Sequence, residues 1–208
     1  MIKAKEILAK YPSEYKKSAC IPLLDLAQRQ HHGWLPLAAM NKVAKIIGVP
    51  AMEVYETATF YSMFNREPIG KHLVQMCTTT PCALCGSGPV LEALKEYMGV
   101  EVGETSSDGV FTLLEVECLG ACVNAPMMQI GDDYYEDLTP ETAVDVVRKL
   151  KNGEKPKVGP QTEARRVAEP VGGLTTLKEK PYGPSAPLLD RLEKERAEKA
   201  KETKEAKA

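Results

Sequence analysis

The sequence predicts an α/β chain, more closely an α+β arrangement, with a helical N-terminal segment, a small sheet domain covered by helices and an extended C-terminal tail. Three observations predict it. Apolar residues recur at helical spacing over residues 1–69, short apolar strands alternate with helices over 70–153, and residues 154–208 have few core-forming side chains. Hydrophobic residues make up 43% of the 208 residues, which is enough for a core. These three ranges are the predicted domains.

Charge and hydropathy exclude two classes of function. The 27 Lys and Arg residues against 29 Asp and Glu give a net charge of −2, so there is no basic field for nucleic acid. No apolar run approaches the roughly 20 residues that cross a bilayer. The N-terminus includes acidic Glu6 and lacks an apolar stretch, so we expect no secretory signal and expect any transit peptide to have been removed already.

Proline and glycine mark three helices in the N-terminal zone. The first runs from Pro22 toward Gly33, the second from Pro36 to Gly48, and the third begins at Pro50. Proline suits the first turn of a helix, and glycine suits its end. Each helix has an apolar face, which we predict to pack against the other helices rather than to bind a cofactor.

The middle zone alternates strands and helices. Its predicted elements are a strand at 71–77, a helix from the N-cap Ser87 to Gly99, a strand at 111–118, a hairpin with strands 127–130 and 134–136, and a helix from Thr139 to Gly153. This order is expected of a small sheet with helical cover.

The last zone differs in composition from the other two. Residues 154–187 contain repeated proline and glycine, which is typical of a segment that lies over another surface. In residues 188–208, 13 of the 21 side chains are charged with both signs interleaved, so we predict a solvated, partly helical terminus without a specific site.

Six cysteines are the most informative residues of the chain. Four of them form the pairs Cys77-x4-Cys82 and Cys118-x3-Cys122, and each pair follows a predicted strand. If those strands are neighbours, both loops emerge at one edge of the sheet and four thiolates converge. No export signal is visible, so we assume a reducing compartment, which leaves metal binding, redox chemistry or inert thiols.

Zinc and a [2Fe–2S] cluster are the two metal sites to compare. Zinc favours closely spaced cysteines in small units that need the metal to fold, whereas this domain can bury its own core, although zinc stays open. A [2Fe–2S] cluster needs two thiolates per iron and suits wider loops. Its net charge requires nearby backbone N–H groups, and the Thr, Gly and Ala composition of both loops lets amides turn inward.

Cys85 allows two further interpretations. With Cys77 and Cys82 it matches the plant-type ferredoxin spacing, and with Cys82 alone it forms a C-x-x-C motif typical of thiol–disulfide exchange. The interpretation as two pairs leaves only Cys85 and Cys20 without a role, so we favour it. Cys20 precedes an apolar helix and is predicted to be a small buried hydrophobe.

Motifs around these cysteines resemble one family. Cys-Thr-Thr-Thr-Pro-Cys at 77–82 and Glu-Cys-Leu-Gly-Ala-Cys-Val-Asn-Ala-Pro at 117–126 resemble the thioredoxin-like [2Fe–2S] subunits of respiratory complex I, the 24 kDa flavoprotein subunits of NADH:ubiquinone oxidoreductase. Further similar segments occur in the same order at 24–30, 33–36, 54–61, 134–140 and 172–175. The resemblance extends over about residues 8–177. Cys85 and the charged extension after about residue 188 depart from it.

The resemblance implies a fold, a cofactor and partners. The fold is an N-terminal helical bundle followed by a thioredoxin-like domain, and one [2Fe–2S] cluster is held by Cys77, Cys82, Cys118 and Cys122. The implied partners are the flavoprotein subunit that binds FMN and NADH and the large iron–sulfur subunit, with single electrons exchanged with the flavin. The implied location is the peripheral arm on the matrix side of the mitochondrial inner membrane, or else the cytoplasmic face of a bacterial plasma membrane.

No nucleotide-binding motif is present in the sequence. Gly86-Ser87-Gly88 lacks the G-x-G-x-x-G spacing, and there is no P-loop. We therefore expect the hydride chemistry to belong to another polypeptide and this chain to be a one-electron carrier without a complete active site. The corresponding subunit of an NAD-linked hydrogenase or formate dehydrogenase, and a thiol–disulfide oxidoreductase using Cys82 and Cys85, remain the alternatives.

Overall fold

The computed structural model describes residues 2–162, 165, 166 and 168. In this part of the chain the helices are α1 (Ile2–Leu8), α2 (Cys20–Gln30), α3 (Leu37–Ile47), α4 (Ala51–Phe60), α5 (Thr80–Leu84), α6 (Ser87–Met98) and α7 (Pro140–Lys151). The strands are β1 (His72–Cys77), β2 (Phe111–Val116), β3 (Met128–Ile130), β4 (Asp133–Glu136) and β5 (Gly159–Pro160). Short 3-10 helices occur at Ser13–Ala19 and Cys122–Asn124. The predicted α/β class is confirmed.

Helices α2, α3 and α4 lie where proline and glycine predicted them. Gly48 ends α3 with a φ of 83°, a left-handed conformation that glycine adopts without strain. The apolar faces of the three helices pack together into one cluster, and Cys20 is buried in it as predicted. Helix α1 and the 3-10 helix after it were not predicted, because no proline or glycine marks their start as it does for the later helices.

The sheet has the strand order β2-β1-β3-β4-β5. β1 runs parallel to β2, β3 and β4 form the predicted antiparallel hairpin, and β4 pairs in parallel with β5. The turn of the hairpin is shorter than expected, because Asp133 already pairs with Ile130 and belongs to β4. β5 has two residues, Gly-Pro, which do not have the composition of a strand, and the sequence did not predict it.

Helices α6 and α7 cover one face of the sheet. Side chains from both helices and from β1 to β4 form the main core, whose fully buried members include Val74, Leu94, Leu113 and Val147. The predicted N-cap of α6 is off by one residue. Gly86 takes the cap position with a φ of 94°, and Ser87 is the buried first residue of the helix without a capping hydrogen bond.

The opposite face of the sheet borders a groove of about 1700 Å³ that the helical segment lines on its other side. Across this groove, the guanidinium of Arg29 on α2 donates two hydrogen bonds to the carboxylate of Asp132 in the hairpin turn, at 2.7 and 2.9 Å. Gln28 accepts a hydrogen bond from the backbone N–H of Asn65 at 2.8 Å. These contacts connect α2 to the hairpin and to the loop before β1.

The division into three domains at residues 69 and 153 remains a proposal. Separate apolar clusters in the helical segment and beneath the sheet support the first boundary. Of the predicted tail, residues 154–162 continue along the sheet and include β5, whereas the charged segment 188–208 lies outside the described residues. None of the helices that the structure describes has the length and hydrophobicity needed to cross a membrane.

Candidate metal centre

Adjacent strands bring the two cysteine pairs to one edge of the sheet. β1 and β2 are parallel neighbours, and Cys77 at the end of β1 pairs in register with Val116 at the end of β2. Both chains therefore leave the sheet on the same side, as the sequence predicted. Cys118 follows two residues after β2, and Cys122 begins the 3-10 helix Cys122–Asn124.

The first pair is not held by a loop, as the sequence predicted, but by a short helix. Thr79 is the extended N-cap residue of α5, and Cys82 lies on that helix. Pro81 has the fixed φ that suits the first turn of a helix, which favours this turn locally. Five residues are too few to show helical periodicity, so the pattern of the sequence gave no sign of α5.

Each pair brings its two thiols together. The Sγ atoms of Cys118 and Cys122 are 3.3 Å apart. Cys77 and Cys82 are close enough that their thiols change each other's pKa. The first pair is buried, with 1% exposure for Cys77 and 0% for Cys82, whereas Cys118 and Cys122 are exposed.

Contacts between the loops show that the two pairs meet. The backbone N–H of Leu119, in the second loop, is hydrogen-bonded to the thiol of Cys77 in the first. The hydroxyl of Thr79 lies 3.3 Å from the Sγ of Cys77 and also acts on the thiol of Cys118. The charge of Cys77 influences the pKa of both thiols in the second pair.

The pKa values of the four thiols differ within each pair. Burial and the adjacent thiol of Cys77 raise the pKa of Cys82 to about 12. Burial also acts to raise the pKa of Cys77, but hydrogen bonds from Thr79 and Leu119 outweigh it and lower that pKa. The N–H of Gly120 lowers the pKa of Cys118, and the hydrogen bond shared with Cys118 raises the pKa of Cys122. Each pair thus contains one thiol that ionises readily.

Backbone N–H groups surround the thiols, as the loop composition predicted. The donors are the amides of Thr79 and Leu119 for Cys77, Gly120 for Cys118 and Met127 for Cys82. Gly120 has a φ of 87°, and a Cβ added there would meet nothing within 4 Å. Its conformation rather than the available space therefore favours glycine. These N–H dipoles offset negative charge on sulfur.

Apolar side chains pack beside the buried pair. Cys77 and Cys82 form one cluster with Ala121, Ala125 and Met127. Tyr134 packs against this cluster, and its hydroxyl donates a hydrogen bond to the carbonyl of Leu119 at 2.8 Å. The contacts fix the second loop and limit the access of water to the first pair.

A buried polar network behind the second loop was not predicted. The Nδ2 of Asn124 donates hydrogen bonds to the Oε2 of Glu136 and to the carbonyl of Arg166, each at 2.6 Å. The N–H of Ala168 donates to the same carboxylate at 3.0 Å. Glu136 is 1% exposed. A charged residue ending a strand normally predicts exposure, so only the position of Asn124, two residues after Cys122, could have indicated it.

The two remaining cysteines lie apart from the paired thiols in the fold. Cys85 is exposed at the C-terminal end of α5, and Cys20 is buried in the helical cluster. Among the described residues, no three His, Cys, Asp or Glu side chains converge closely enough to hold a single metal ion. The arrangement that the structure describes is therefore two pairs of thiols.

A comparison with protein families decides the relationship of the chain. Residues 4–151 match the model of the thioredoxin-like [2Fe-2S] ferredoxin family, which is more than half of the chain. The chain belongs to this family.

Curated relatives narrow the relationship within the thioredoxin-like [2Fe–2S] ferredoxin family. The mitochondrial NADH dehydrogenase [ubiquinone] flavoprotein 2 of Dictyostelium discoideum is 56% identical over 185 residues, which cover 89% of this chain and 74% of the relative. One of the NADH-quinone oxidoreductase subunits of Rickettsia bellii is 55% identical over 149 residues, which cover 72% of this chain and 89% of the relative. The predicted resemblance to the 24 kDa subunits of complex I is confirmed.

Solved structures also show the fold of this family member. An NAD+-reducing [NiFe]-hydrogenase in the H2-reduced state has a TM-score of 0.55 and 19% sequence identity. The alignment covers 63% of this chain and 22% of the hydrogenase chain. At this identity the comparison shows a shared fold and says nothing of a shared activity.

Proposed function

We propose that this chain is the electron-transfer subunit of an NADH:ubiquinone oxidoreductase. In this proposal Cys77, Cys82, Cys118 and Cys122 hold one [2Fe–2S] cluster, and single electrons are exchanged with the FMN of an NADH-binding flavoprotein partner. The main support is the convergence of the two cysteine pairs at the ends of adjacent parallel strands.

The donor set fits such a cluster. Each of its two irons needs two thiolates, and the thiols of this site come in two pairs. Inward-facing N–H groups such as those of Leu119 and Gly120 offset the negative charge of four thiolates and two sulfides. When bound, a [2Fe–2S] cluster takes up and releases one electron at a time.

The residues of this chain hold the site and expose one side of it. Burial of Cys77 and Cys82 keeps the first pair from water, whereas Cys118 and Cys122 are open to solvent. Next to the ligands, the side chain of Val123 is 73% exposed, which is an unusual environment for an apolar group. We propose that the flavoprotein partner approaches on the side of the exposed pair.

The wider assembly and the location also belong to the proposal. The mitochondrial and bacterial relatives support a peripheral subunit of complex I, on the matrix side of the mitochondrial inner membrane or the cytoplasmic face of a bacterial plasma membrane. The large iron–sulfur subunit would be a second neighbour.

Electron exchange between the two subunits tests the function. The full-length chain is reduced with dithionite, freed of excess reductant and mixed without oxygen with its oxidised flavoprotein partner. We expect the visible absorption of the oxidised cluster to recover while the flavin is reduced, and no recovery with partner stripped of FMN. If FMN-containing partner also gives no recovery, the proposed function is wrong.

Serine variants of the cysteines test the ligand set. Cys122→Ser should abolish or convert the visible spectrum of the cluster, whereas Cys85→Ser, the matched control, should leave it nearly unchanged. The reverse result would move the site to the plant-type set of Cys77, Cys82 and Cys85 with one distant cysteine.

The alternatives receive less support from the structure. Cys82 is buried and its pKa is about 12, so it is a poor nucleophile for thiol–disulfide exchange with Cys85. The hydrogenase of known structure shares 19% identity and supports only the fold. Identifying the subunits that copurify with this chain from its native cells separates complex I from a hydrogenase or formate dehydrogenase.

A further inference from the structure

Thr79 has a side chain whose position calls for an explanation. It is the N-cap residue of α5, where a threonine hydroxyl commonly accepts a hydrogen bond from a helix N–H and contributes about 1 kcal/mol. The Thr79 side chain makes no such capping bond. Its hydroxyl instead lies 3.3 Å from the Sγ of Cys77.

The hydroxyl of Thr79 faces both cysteine pairs. Besides contacting Cys77 of the first pair, it lowers the pKa of Cys118 in the second. The two neighbouring threonines are used differently, because the hydroxyl of Thr78 donates to Glu115 and Thr80 is exposed. Within this run of three threonines, Thr79 is the one directed at sulfur.

We infer that Thr79 donates a hydrogen bond to the cysteine sulfurs of the bound cluster and thereby raises its reduction potential. The inference rests on the proposed function and adds a residue that tunes the site without binding iron. A [2Fe–2S] cluster with four thiolates changes its net charge from −2 to −3 when it accepts one electron, and no covalent bond forms or breaks. A hydroxyl donor stabilises the more negative state, and hydrogen bonds to sulfur are a recognised control of these potentials.

Three substitutions separate the hydroxyl from the shape of the side chain. Thr79→Val removes the hydroxyl and keeps nearly the same volume, whereas Thr79→Ser keeps the hydroxyl. Thr80→Val makes the same chemical change one residue away, at an exposed position, and is the matched control. Each variant is prepared as the full chain, and its iron and sulfide contents are measured before titration.

The readout is the midpoint potential, followed by the visible absorption and the electron paramagnetic resonance signal. We expect Thr79→Val to lower the ratio of reduced to oxidised protein at the wild-type midpoint by roughly threefold to tenfold, where tenfold corresponds to about 59 mV for one electron. Thr79→Ser and Thr80→Val should remain within roughly twofold of the wild type.

Each outcome has a defined meaning. A fully loaded Thr79→Val protein with the wild-type potential overturns the inference. Thr79→Ala is a second hydroxyl-free variant that cannot crowd the site and should shift the potential in the same direction. Loss of the cluster from both variants, with Thr79→Ser fully loaded, also overturns it, because the hydroxyl would then be needed for assembly. If the wild type itself contains no iron or sulfide, the proposed function fails instead.

Discussion

Asn124 shows how a single residue can support the proposed site without contacting sulfur. It belongs to the same short 3-10 helix as Cys122, and its side-chain amide bonds the buried carboxylate of Glu136. A buried charge is costly unless hydrogen bonds compensate for it. Glu136 meets this requirement through Asn124 and the N–H of Ala168, so the network fixes the second cysteine loop against the sheet.

Asn124→Ala tests the strength of this network. It removes one donor to Glu136 and one to the carbonyl of Arg166, so we expect a loss of about 1–3 kcal/mol in the free energy of unfolding. Gln129→Ala, which removes an exposed hydrogen bond to the carbonyl of Gly131, is the control and should change stability by less than about 0.5 kcal/mol. Equal melting temperatures for the two variants would contradict a supporting role for Asn124.

His72 makes the stability of the fold depend on pH. Burial, and next the charge of Lys71, lower the pKa of His72 from its ordinary value of 6.5, and its Nε2 is buried without a partner. The unfolded chain therefore binds a proton first as the pH falls. The contribution of neutral His72 is fully present above 6.5 and is lost as the pH drops below that value.

Replacing His72 with phenylalanine removes this titration. Between about pH 7.5 and about pH 5.5, the melting temperature of wild type should fall more than that of His72→Phe. His31→Phe changes an exposed histidine and should follow the wild type. A His72→Phe protein that loses as much stability as wild type over this range would show that His72 is not responsible.

Among the structural elements, the parallel pair of β1 and β2 is the one that places the cysteines. Gly70 lies just before β1, and its N–H donates to the hydroxyl of Thr112 on β2 at 2.7 Å. A Cβ at Gly70 would lie 2.8 and 2.9 Å from the backbone C and N atoms of Phe111. The two chains approach so closely there that only glycine fits without a shift of the backbone.

Gly70→Ala tests this close approach of the strands. We expect it to lower the free energy of unfolding by about 1–3 kcal/mol, because backbone atoms of β2 cannot move aside cheaply. Gly88→Ala is the matched change in α6, where a Cβ meets nothing within 4 Å, and should be neutral or stabilise by up to about 1 kcal/mol. Denaturant midpoints compare the two, and a neutral Gly70→Ala would rule out the contact as a constraint.

The elements that the sequence predicted are those with local markers. α3 has an apolar periodicity between Pro36 and Gly48, and the hairpin has a Gly-Asp turn, so both could be located from spacing alone. α5 and β5 could not, because they have five and two residues and owe their form to neighbouring structure.

The candidate site was predicted to a similar extent. The convergence of the cysteine loops followed from the strand ends, but the direction of the Thr79 hydroxyl and the burial of Glu136 depend on tertiary contacts. A hydroxyl in an N-cap position normally predicts capping, and a strand-end carboxylate normally predicts exposure. Both residues depart from these local preferences beside the cysteine pairs.

At the scale of the whole molecule, the helical segment and the sheet domain are connected by a partly exposed ion pair. Arg29 lowers the pKa of Asp132 through its hydrogen bonds and charge. The side chains are 57% and 72% exposed, and such pairs typically contribute about 0–1 kcal/mol. We therefore expect the apolar clusters, rather than this pair, to maintain the structure of each part.

A double-mutant cycle of Arg29→Ala and Asp132→Ala measures this contribution. The coupling energy should be below about 1 kcal/mol and should decrease further in about 1 M salt, because mobile ions screen exposed charges. A coupling energy above about 2 kcal/mol that salt does not change would show that the pair is a main connection between the two parts.

The central claim is that this chain, with its two converging cysteine pairs, holds a one-electron centre. Iron and acid-labile sulfide analysis of the purified full-length protein, combined with a coulometric redox titration, tests it most directly. We predict a brown protein with two irons and two sulfides per chain that accepts one electron. A colourless protein with one zinc per chain, or a metal-free protein that titrates as a two-electron dithiol, would contradict the claim.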